Sequence, residues 1–387
     1  MNDLAPGSHI HLIAVCGVGM ASLAGLLQSR GFRVTGSDQN VYPPMSTYLS
    51  EIGIDVLSGY RAEHVTPRPD LVVIGNAVSR GNPEAEAVIS QQIPYMSFPQ
   101  ALGEFLIGSR TSIVIAGTHG KTTTSALAGW VLTSAGLDPG FFVGGVPVNF
   151  ASGWRPGGGS HVVLEGDEYD TAFFDKGPKF LHYRPSHVIL TSVEFDHADI
   201  YRDLDHVKSA FARLIEILPA DAKLVVCSDY ADALALAKTA RSQPITYGDR
   251  ADWTASDIQF RAGRSFFTPC YKGQSEGPLE AGLIGRHNVK NALAVYALGR
   301  ALGIAREKLL DGFRTFKGVK RRQEIRGEQR GVLVIDDFAH HPTAVRETID
   351  AVRGAYSGQR LWAIFEPRSN TSKRNVFENE FAAALAL

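Results

Sequence analysis

Short apolar runs rich in β-branched residues recur along the chain, and each run ends at glycine or polar residues. Stretches with helical spacing lie between these runs. Apolar strands that alternate with helices are typical of parallel sheets covered on both faces. The pattern therefore predicts an α/β fold. The predicted strands are residues 11–15, 71–74, 112–116, 161–164, 187–191, 224–227, 331–335 and 361–365.

The length of 387 residues predicts two to three domains. We place the predicted domains at residues 1–108, 109–320 and 321–387. The third segment contains two predicted strands and ends at residues 383–387, inside an apparent helix without a cap. Because two strands do not make a stable parallel sheet, we expect the third domain to be shortened.

Composition narrows the range of partners. The formal net charge is −1, so no global positive field attracts nucleic acid or an anionic membrane. Cys16, Cys227 and Cys270 are scattered, which favours a reducing compartment over a disulfide framework. The start does not resemble a signal peptide, and the apolar runs are far shorter than the roughly 20 residues that cross a bilayer. We expect a cytoplasmic monomer.

A glycine-containing loop follows the predicted strand at residues 112–116, and a helix is predicted after it through Ala135. Glycines let backbone N–H groups wrap a phosphate, and a helix N-terminus adds partial positive charge. Lys121 is then placed to meet the β- and γ-phosphates of ATP, and Thr122 to ligate magnesium. The usual pattern has another glycine where Ile115 stands, so the loop is a shortened variant, and a plain strand-to-helix turn is the alternative. The predicted nucleotide-binding residues of the loop are Gly117, Thr118, His119, Gly120, Lys121, Thr122 and Thr123.

Carboxylates follow two of the predicted strands. Residues 165–170 contain four carboxylates, which repel each other unless a cation lies among them. Residues 194–199 place a histidine among carboxylates. Because ligands bind beyond the carboxyl ends of parallel strands, Glu165 and His197 are candidate metal ligands. A solvated acidic turn is the alternative for both runs.

Three further segments are ambiguous on their own. Residues 285–291 precede a predicted helix that runs to Leu302, and their amide side chains suit either a nucleobase or a helix cap. Residues 336–342 end another predicted strand with two aspartates and two histidines. The turn Gly17-Val18-Gly19 lacks the third glycine of a dinucleotide-binding motif, and Asp38 follows at the distance of a ribose-binding acid. A tight turn explains these last residues equally well.

Together these segments resemble the Mur ligase family, the ATP-dependent enzymes that build the peptide of bacterial cell-wall precursors. The resemblance is closest to the branch that uses UDP-N-acetylmuramate, through residues 117–123, 285–288 and 340–343. Within that branch, residues 165–176 and 365–371 resemble the members that add L-alanyl-γ-D-glutamyl-meso-diaminopimelate, the murein tripeptide. Members that add L-alanine look similar but differ in these two stretches.

The resemblance implies an N-terminal Rossmann-like domain, a central P-loop ATPase domain and a C-terminal Rossmann-like domain that presents the peptide. The first would hold the UDP-sugar through Gly17, Gly19 and Asp38. Phe211 stands where other branches carry a carbamylated lysine, so no modified lysine is expected. In the central domain, Lys121 would serve the phosphates and Thr122, Glu165 and His197 the magnesium ions. The remaining implied contacts are adenine with His287 and Asn291, ATP with Arg322, Asp337 and His340, and substrate with Arg368, Ser369 and Asn370.

The implied chemistry activates a carboxylate as an acyl phosphate, which an amine then attacks. Three rival functions remain open. An L-alanine ligase differs in the acceptor alone. A nicotinamide dehydrogenase would use Gly17, Gly19 and Asp38 but leaves the phosphate loop unexplained. A nucleotide-sensing module without catalysis would bind ATP but release no phosphate in response to an acceptor.

Overall fold

The structure is a computed structural model that describes residues 4–198, 200–367, 372 and 377–386. Its strands are β1 (His9–Ile13), β2 (Arg33–Asp38), β3 (Val56–Ser58), β4 (Leu71–Ile74), β5 (Tyr95–Ser97), β6 (Thr111–Ala116), β7 (Gly140–Phe142), β8 (Trp154–Arg155), β9 (His161–Gly166), β10 (Asp170–Ala172), β11 (Asp175–Pro178), β12 (His187–Leu190), β13 (Leu224–Cys227), β14 (Ile245–Tyr247), β15 (Trp253–Arg261), β16 (Arg264–Tyr271), β17 (Gln274–Ser275), β18 (Leu279–Ala281), β19 (Glu324–Gln329) and β20 (Val332–Asp336).

The helices alternate with many of these strands, as the hydrophobic pattern predicts. They are α1 (Val18–Ser29), α2 (Met45–Glu51), α3 (Pro83–Ser90), α4 (Phe98–Leu102), α5 (Lys121–Ser134), α6 (Leu204–Glu216), α7 (Ala231–Ala237), α8 (Arg286–Ala301), α9 (Arg306–Thr315), α10 (Pro342–Ala355) and α11 (Glu378–Leu385). The chain forms two compact units. The first contains the residues up to Arg110 together with 154–156 and 169–184, and the second contains the rest.

The first unit is built on a five-stranded parallel sheet in the order β3-β2-β1-β4-β5. Its core includes the buried side chains of Ile13, Val72 and Val88. The predicted strand at residues 11–15 lies two residues too late along the chain, since β1 spans His9–Ile13. The strand ends at Ile13 because Ala14 adopts φ 67°, which breaks the extended backbone. The first turn of α1 follows directly, so the glycine turn lies at the carboxyl end of β1.

The second unit contains a larger mixed sheet with the order β17-β16-β15-β14-β13-β12-β6-β9-β7. β6 lies between β12 and β9, and both neighbours run parallel to it. The carboxyl ends of these three strands therefore meet at one edge, and the segments that follow them lie side by side. α5 and α8 pack over the sheet in a core that includes Ile115, Leu127 and Ala292. This arrangement brings the predicted phosphate loop next to both carboxylate runs.

The last part of the second unit departs from the predicted parallel strands. β19 and β20 pair antiparallel, and α10 packs on α11 through Val345, Ile349 and Phe381. The predicted strand at residues 361–365 is wrong, since this segment has no strand structure. A strand needs a neighbour for its backbone groups, and no strand in the described part of the chain pairs with it. Ile364 accordingly lies 94% exposed.

Within the described residues, no helix combines the length and the apolar character that a membrane crossing requires.

Candidate active site

The loop between β6 and α5 depends on two glycines with left-handed backbone. Gly117 has φ 130° and Gly120 has φ 77°, a region that side chains rarely adopt. A Cβ atom on Gly117 would lie 2.2 Å from Oγ1 of Thr191, and one on Gly120 would lie 2.8 Å from Oδ1 of Asn291. Glycine is therefore required at both positions by conformation and by space.

The same loop is fixed to the segment that follows β12. The backbone N–H groups of Thr118 and His119 donate to the carbonyl and hydroxyl oxygens of Ser192, at 3.1 and 2.9 Å. The Thr118 hydroxyl also accepts a hydrogen bond of 2.8 Å from the N–H of Glu194. These bonds hold the loop in shape by contacts within the protein, so the loop is a preorganised surface for the predicted nucleotide.

Lys121 begins α5 and is buried against acidic side chains. Its Nζ donates to the carbonyl oxygen of Gly117 at 2.7 Å and lies 2.9 Å from Oε2 of Glu168. Burial alone would lower the pKa of Lys121, but Glu168 and Asp167 outweigh it and raise that pKa. The side chain therefore stays an ammonium ion. Nε2 of His197 lies 3.5 Å from Oε1 of Glu168, which places this histidine beside the same carboxylate.

Glu165 ends β9 and faces the start of α5. Oε1 accepts a hydrogen bond of 2.7 Å from the Thr122 hydroxyl, and Oε2 accepts one of 2.7 Å from the N–H of Gly144. The Thr122 oxygen in turn accepts a bond of 3.1 Å from Nη2 of Arg322. Burial and the neighbouring Asp167 raise the pKa of Glu165. A carboxylate destabilised in this way beside a hydroxyl suits a hard divalent cation, which prefers oxygen ligands.

A cavity of about 100 Å³ opens beside the loop. Seven of the predicted nucleotide-binding residues line it, and they come from distant parts of the sequence. The sequence prediction missed other lining residues, among them Tyr230, Lys290, Gln323, Glu347 and Thr348. The predicted residues at the cavity are His119, Gly120, Thr123, His287, Asn291, Arg322 and Asp337.

The far side of the cavity is formed by amides and a neutral imidazole. Asn288 donates to the carbonyl oxygen of Ile284 at 2.8 Å and to Oε1 of Gln323 at 3.2 Å. Nε2 of Gln323 lies 3.3 Å from Nε2 of His287. Burial lowers the pKa of His287 to about 4, so its ring is neutral and accepts from this amide. Residues 285–291 do not precede the helix as predicted, because α8 already begins at Arg286.

Arg322 enters the site from a strained turn. Its neighbours Arg321 and Gln323 have φ 59° and 51°, and the N–H of Gln323 donates to Asp337 at 2.8 Å. Burial raises the pKa of Asp337. Nδ1 of His340 lies 2.9 Å from the carbonyl oxygen of Phe338, and burial lowers the pKa of this histidine. The structure thus brings Arg322 and Asp337 to the cavity and leaves His340 on the adjoining loop.

The candidate residues of the first unit lie around the start of α1. Gly17 is the N-cap residue, and a Cβ atom on Gly19 would lie 3.3 Å from the ring of Phe98. Asp38 is 7% exposed, and its carboxylate accepts from the N–H groups of Cys16 and Asn40 at 2.8 and 2.9 Å. Asp38 therefore braces the glycine turn, and its binding of a ribose stays a prediction. Arg368, Ser369 and Asn370 lie outside the described residues.

Family models match nearly the whole chain. Residues 9–110 match the Mur ligase catalytic domain, residues 115–299 the Mur ligase middle domain, and residues 321–386 the Mur ligase glutamate ligase domain. The chain belongs to the Mur ligase family. The three-domain α/β fold that the resemblance implied is confirmed, and the chain is an ATP-dependent ligase that forms amide bonds. The individual domain limits stay predictions.

Several Mur ligases are similar over most of their length. A UDP-N-acetylmuramate–L-alanyl-γ-D-glutamyl-meso-2,6-diaminoheptandioate ligase of Escherichia coli is 43% identical over 97% of this chain and 82% of its own. A UDP-N-acetylmuramate–L-alanine ligase of Salinibacter ruber is 35% identical over 97% of this chain and 77% of its own. The crystal structure of a murein peptide ligase from Psychrobacter arcticus has a TM-score of 0.80 at 38% identity, covering 98% of this chain and 82% of its own.

Proposed function

We propose that this chain joins L-alanyl-γ-D-glutamyl-meso-diaminopimelate to the carboxylate of UDP-N-acetylmuramate at the expense of ATP. The observation that carries the proposal is the similarity to ligases named for this tripeptide, at 43% and 40% identity over 97% of the chain. Ligases named for L-alanine are 35% and 37% identical over 97% and 100% of it. The acceptor is therefore the tripeptide, and L-alanine is the second candidate.

The first half-reaction makes the carboxylate reactive. A carboxylate oxygen of the sugar attacks the γ-phosphorus of ATP, ADP leaves, and an acyl phosphate forms. Negative charge develops on the transferring phosphoryl group, and the Lys121 ammonium offsets it. The backbone N–H groups from Gly120 to Thr123 hold the phosphates in place, since those of Thr118 and His119 donate to Ser192. In the second half-reaction the acceptor amine attacks the acyl carbon and inorganic phosphate leaves.

We assign a magnesium site to Thr122, Glu165 and His197. Glu165 and Thr122 already contact each other, and the raised pKa of Glu165 reflects a buried carboxylate with too little positive charge around it. A bound magnesium ion would neutralise phosphate charge. His197 lies against Glu168, the partner of Lys121, so it reaches the same group of charges.

We assign the cavity beside α8 to the base and ribose of ATP. His287 is neutral and offers a ring nitrogen, while the amides of Asn288, Asn291 and Gln323 supply donors and acceptors for a base edge. Arg322 bridges the cavity to the phosphate end through its bond to Thr122. For the carboxylate to be activated, Arg322 and the loop must therefore contact the same ATP molecule.

The test measures phosphate release by the purified protein with ATP, magnesium and UDP-N-acetylmuramate. The tripeptide and L-alanine are supplied separately, and the product is identified by its mass. We expect the kcat/KM for the tripeptide to exceed that for L-alanine by about 100-fold or more. The reverse preference would assign the chain to the L-alanine ligases, and ATP binding without release for either acceptor would reject catalysis.

Lys121→Ala is the matched inactive variant for this assay. We expect its turnover to fall by about 10²–10³, since the charge on the phosphoryl group loses its ammonium partner. Lys308→Ala removes an exposed lysine on α9 and serves as the control. Near-normal turnover of Lys121→Ala would reject the role of this residue.

A further inference from the structure

Three side chains with metal-binding atoms meet next to the nucleotide loop. They are His119 of the loop, Glu194 of the segment after β12, and His341, the N-cap residue of α10. Each offers one ligand atom, and these atoms lie within 4.8 Å of one another. The three residues belong to separate parts of the second unit, so the fold alone brings them together.

Two of these atoms are in close contact with each other. Nε2 of His119 lies 2.6 Å from Oε2 of Glu194, which is an ion-pair distance, and both atoms are shielded from solvent. A shared cation would replace this contact, because donors bound to zinc at about 2.0–2.2 Å lie roughly 3.3 Å apart in a tetrahedron, so the two side chains would have to separate by roughly 0.7 Å.

His341 supplies the third ligand as a neutral imidazole. Burial, together with the proximity of His119, lowers the pKa of His341 to about 4, so the ring is neutral at pH 7. Its Nε2 lies 3.3 Å from the carbonyl oxygen of Phe195, and metal-binding histidines commonly donate their second N–H to such a carbonyl. Nδ1 is 3.3 Å from the N–H of Thr343, a long contact that ligation through Nδ1 would displace.

Charges on the neighbouring elements also favour a cation. Burial works against ionisation of Glu194, but contacts with His119 and His341 outweigh it and lower the pKa of this carboxyl. Asp196 lies on the same segment as Glu194, and contributions from His197 and His341 lower its pKa despite its burial. Glu347, on α10, also faces this group, and burial raises its pKa. Acidic groups from two elements thus surround the paired imidazoles.

We propose that His119, Glu194 and His341 form a binding site for a borderline transition-metal ion such as Zn²⁺. Two imidazoles and one carboxylate are a donor set that zinc accepts and that leaves a fourth position open. Magnesium prefers oxygen ligands, so this site differs from the one assigned to Thr122, Glu165 and His197. The site does not depend on the identity of the acceptor. A bound ion joins the nucleotide loop to α10, which also lines the nucleotide cavity.

The test titrates Co²⁺, which gives visible absorption when bound by histidines, into metal-free protein without nucleotide. We expect one ion per chain and displacement by Zn²⁺. His119→Asn, Glu194→Gln and His341→Asn should each weaken binding at least tenfold. His206→Asn, on the exposed face of α6, is the matched histidine control and should leave binding unchanged. Glu165→Gln should also retain the Co²⁺ absorption, which separates the two metal sites.

A crystal of the zinc-soaked, full-length protein, measured at the zinc absorption edge, decides the location directly. Anomalous density among the three side chains supports the proposal even if one variant fails to fold. Density elsewhere, Co²⁺ absorption that survives all three substitutions, or no Co²⁺ binding by the intact protein would each overturn it. In the last case His119 and Glu194 form a plain ion pair.

Discussion

Lys121 and Glu168 form an ion pair in which Nζ lies 2.9 Å from Oε2, and Glu168 is 2% exposed. The ammonium ion that we propose for binding the phosphates therefore already has a buried partner. A nucleotide must compete with Glu168 for Lys121 or share it. Breaking a buried pair by removing one charge is costly, because the other charge is left without compensation.

Glu168→Gln tests this competition. Without nucleotide, we expect the variant to lose about 1–3 kcal/mol of unfolding free energy, since Lys121 keeps a hydrogen-bond acceptor but loses its counter-charge. The phosphates of ATP would then replace the lost charge, so ATP should raise the melting temperature more in the variant than in the native protein. Thermal melts with and without ATP measure both effects. An equal ATP-induced shift in the two proteins would contradict the competition.

Glu165→Gln tests whether the Glu165 carboxylate serves magnesium binding at the expense of the stability of the fold. Burial and Asp167 raise the pKa of Glu165. For such an acid the folded state binds more protons than the unfolded chain above pH 4.5, so the carboxylate lowers stability as the pH rises through that window. We therefore expect the neutral variant to be at least as stable as the native protein at pH 7, while its magnesium requirement rises about tenfold. Thermal melts and magnesium titration of phosphate release provide the two readouts, and a strongly destabilised variant would refute the charge argument.

The lowered pKa of His287 determines how the unfolding free energy changes with pH on the acid side. Its pKa falls from 6.5 to about 4 on folding, through burial. Between these values the unfolded chain binds a proton that the folded chain does not, so stability is lost as the pH falls from 6.5 toward 4, with a slope of up to about 1.4 kcal/mol per pH unit. His287→Gln should flatten this slope in urea unfolding experiments. His206→Gln is the control for the substitution itself, and an unchanged slope in His287→Gln would contradict the assignment.

Gln323→Ala examines a lining residue that the sequence prediction missed. Gln323 bonds to Asn288 and lies 3.3 Å from His287, so its loss frees both side chains at the proposed base site. We expect the KM for ATP to rise about tenfold, with kcat reduced less, because the phosphate loop is untouched. Gln329→Ala, an exposed position on β19, is the matched control. A fall in kcat at unchanged KM would place Gln323 in the chemistry instead of in nucleotide binding.

The apolar runs predicted seven of the twenty strands in the described residues, among them β12, β6 and β9. At the cavity, the loop motif predicted His119, Gly120 and Thr123, whereas four further lining residues came from the family resemblance. Apolar runs identify buried parallel strands, and the glycines of the loop are fixed by a backbone that other residues adopt poorly. The order of β12, β6 and β9 then places the three following segments together without further information. The role of Glu168 could not be predicted in this way, since four carboxylates in six residues look alike until the fold selects one of them.

The errors also have physical causes. The segment 361–365 has the composition of a strand, but composition does not supply a neighbouring strand, and Trp362 lies 74% exposed. Gln323 belongs to no motif and reaches the cavity because left-handed backbone at Arg321 and at Gln323 itself turns the chain. Asp38 matches a ribose-binding position by spacing, and its carboxylate also accepts from backbone N–H groups of the same turn, so its role as a ribose ligand stays a prediction.

The hydroxyl group of Thr122 has one proton and two lone pairs. The hydroxyl donates its proton to Glu165 and accepts from Arg322 with one lone pair, so a single lone pair is left for the magnesium ion that we propose. If the proposed magnesium ion took that lone pair, the oxygen would have no free donor or acceptor left, and it would not hold a water molecule close to the proposed acyl phosphate. A serine at this position would keep the hydroxyl group and its hydrogen bonds. A valine would fill the same space without an oxygen and would remove them.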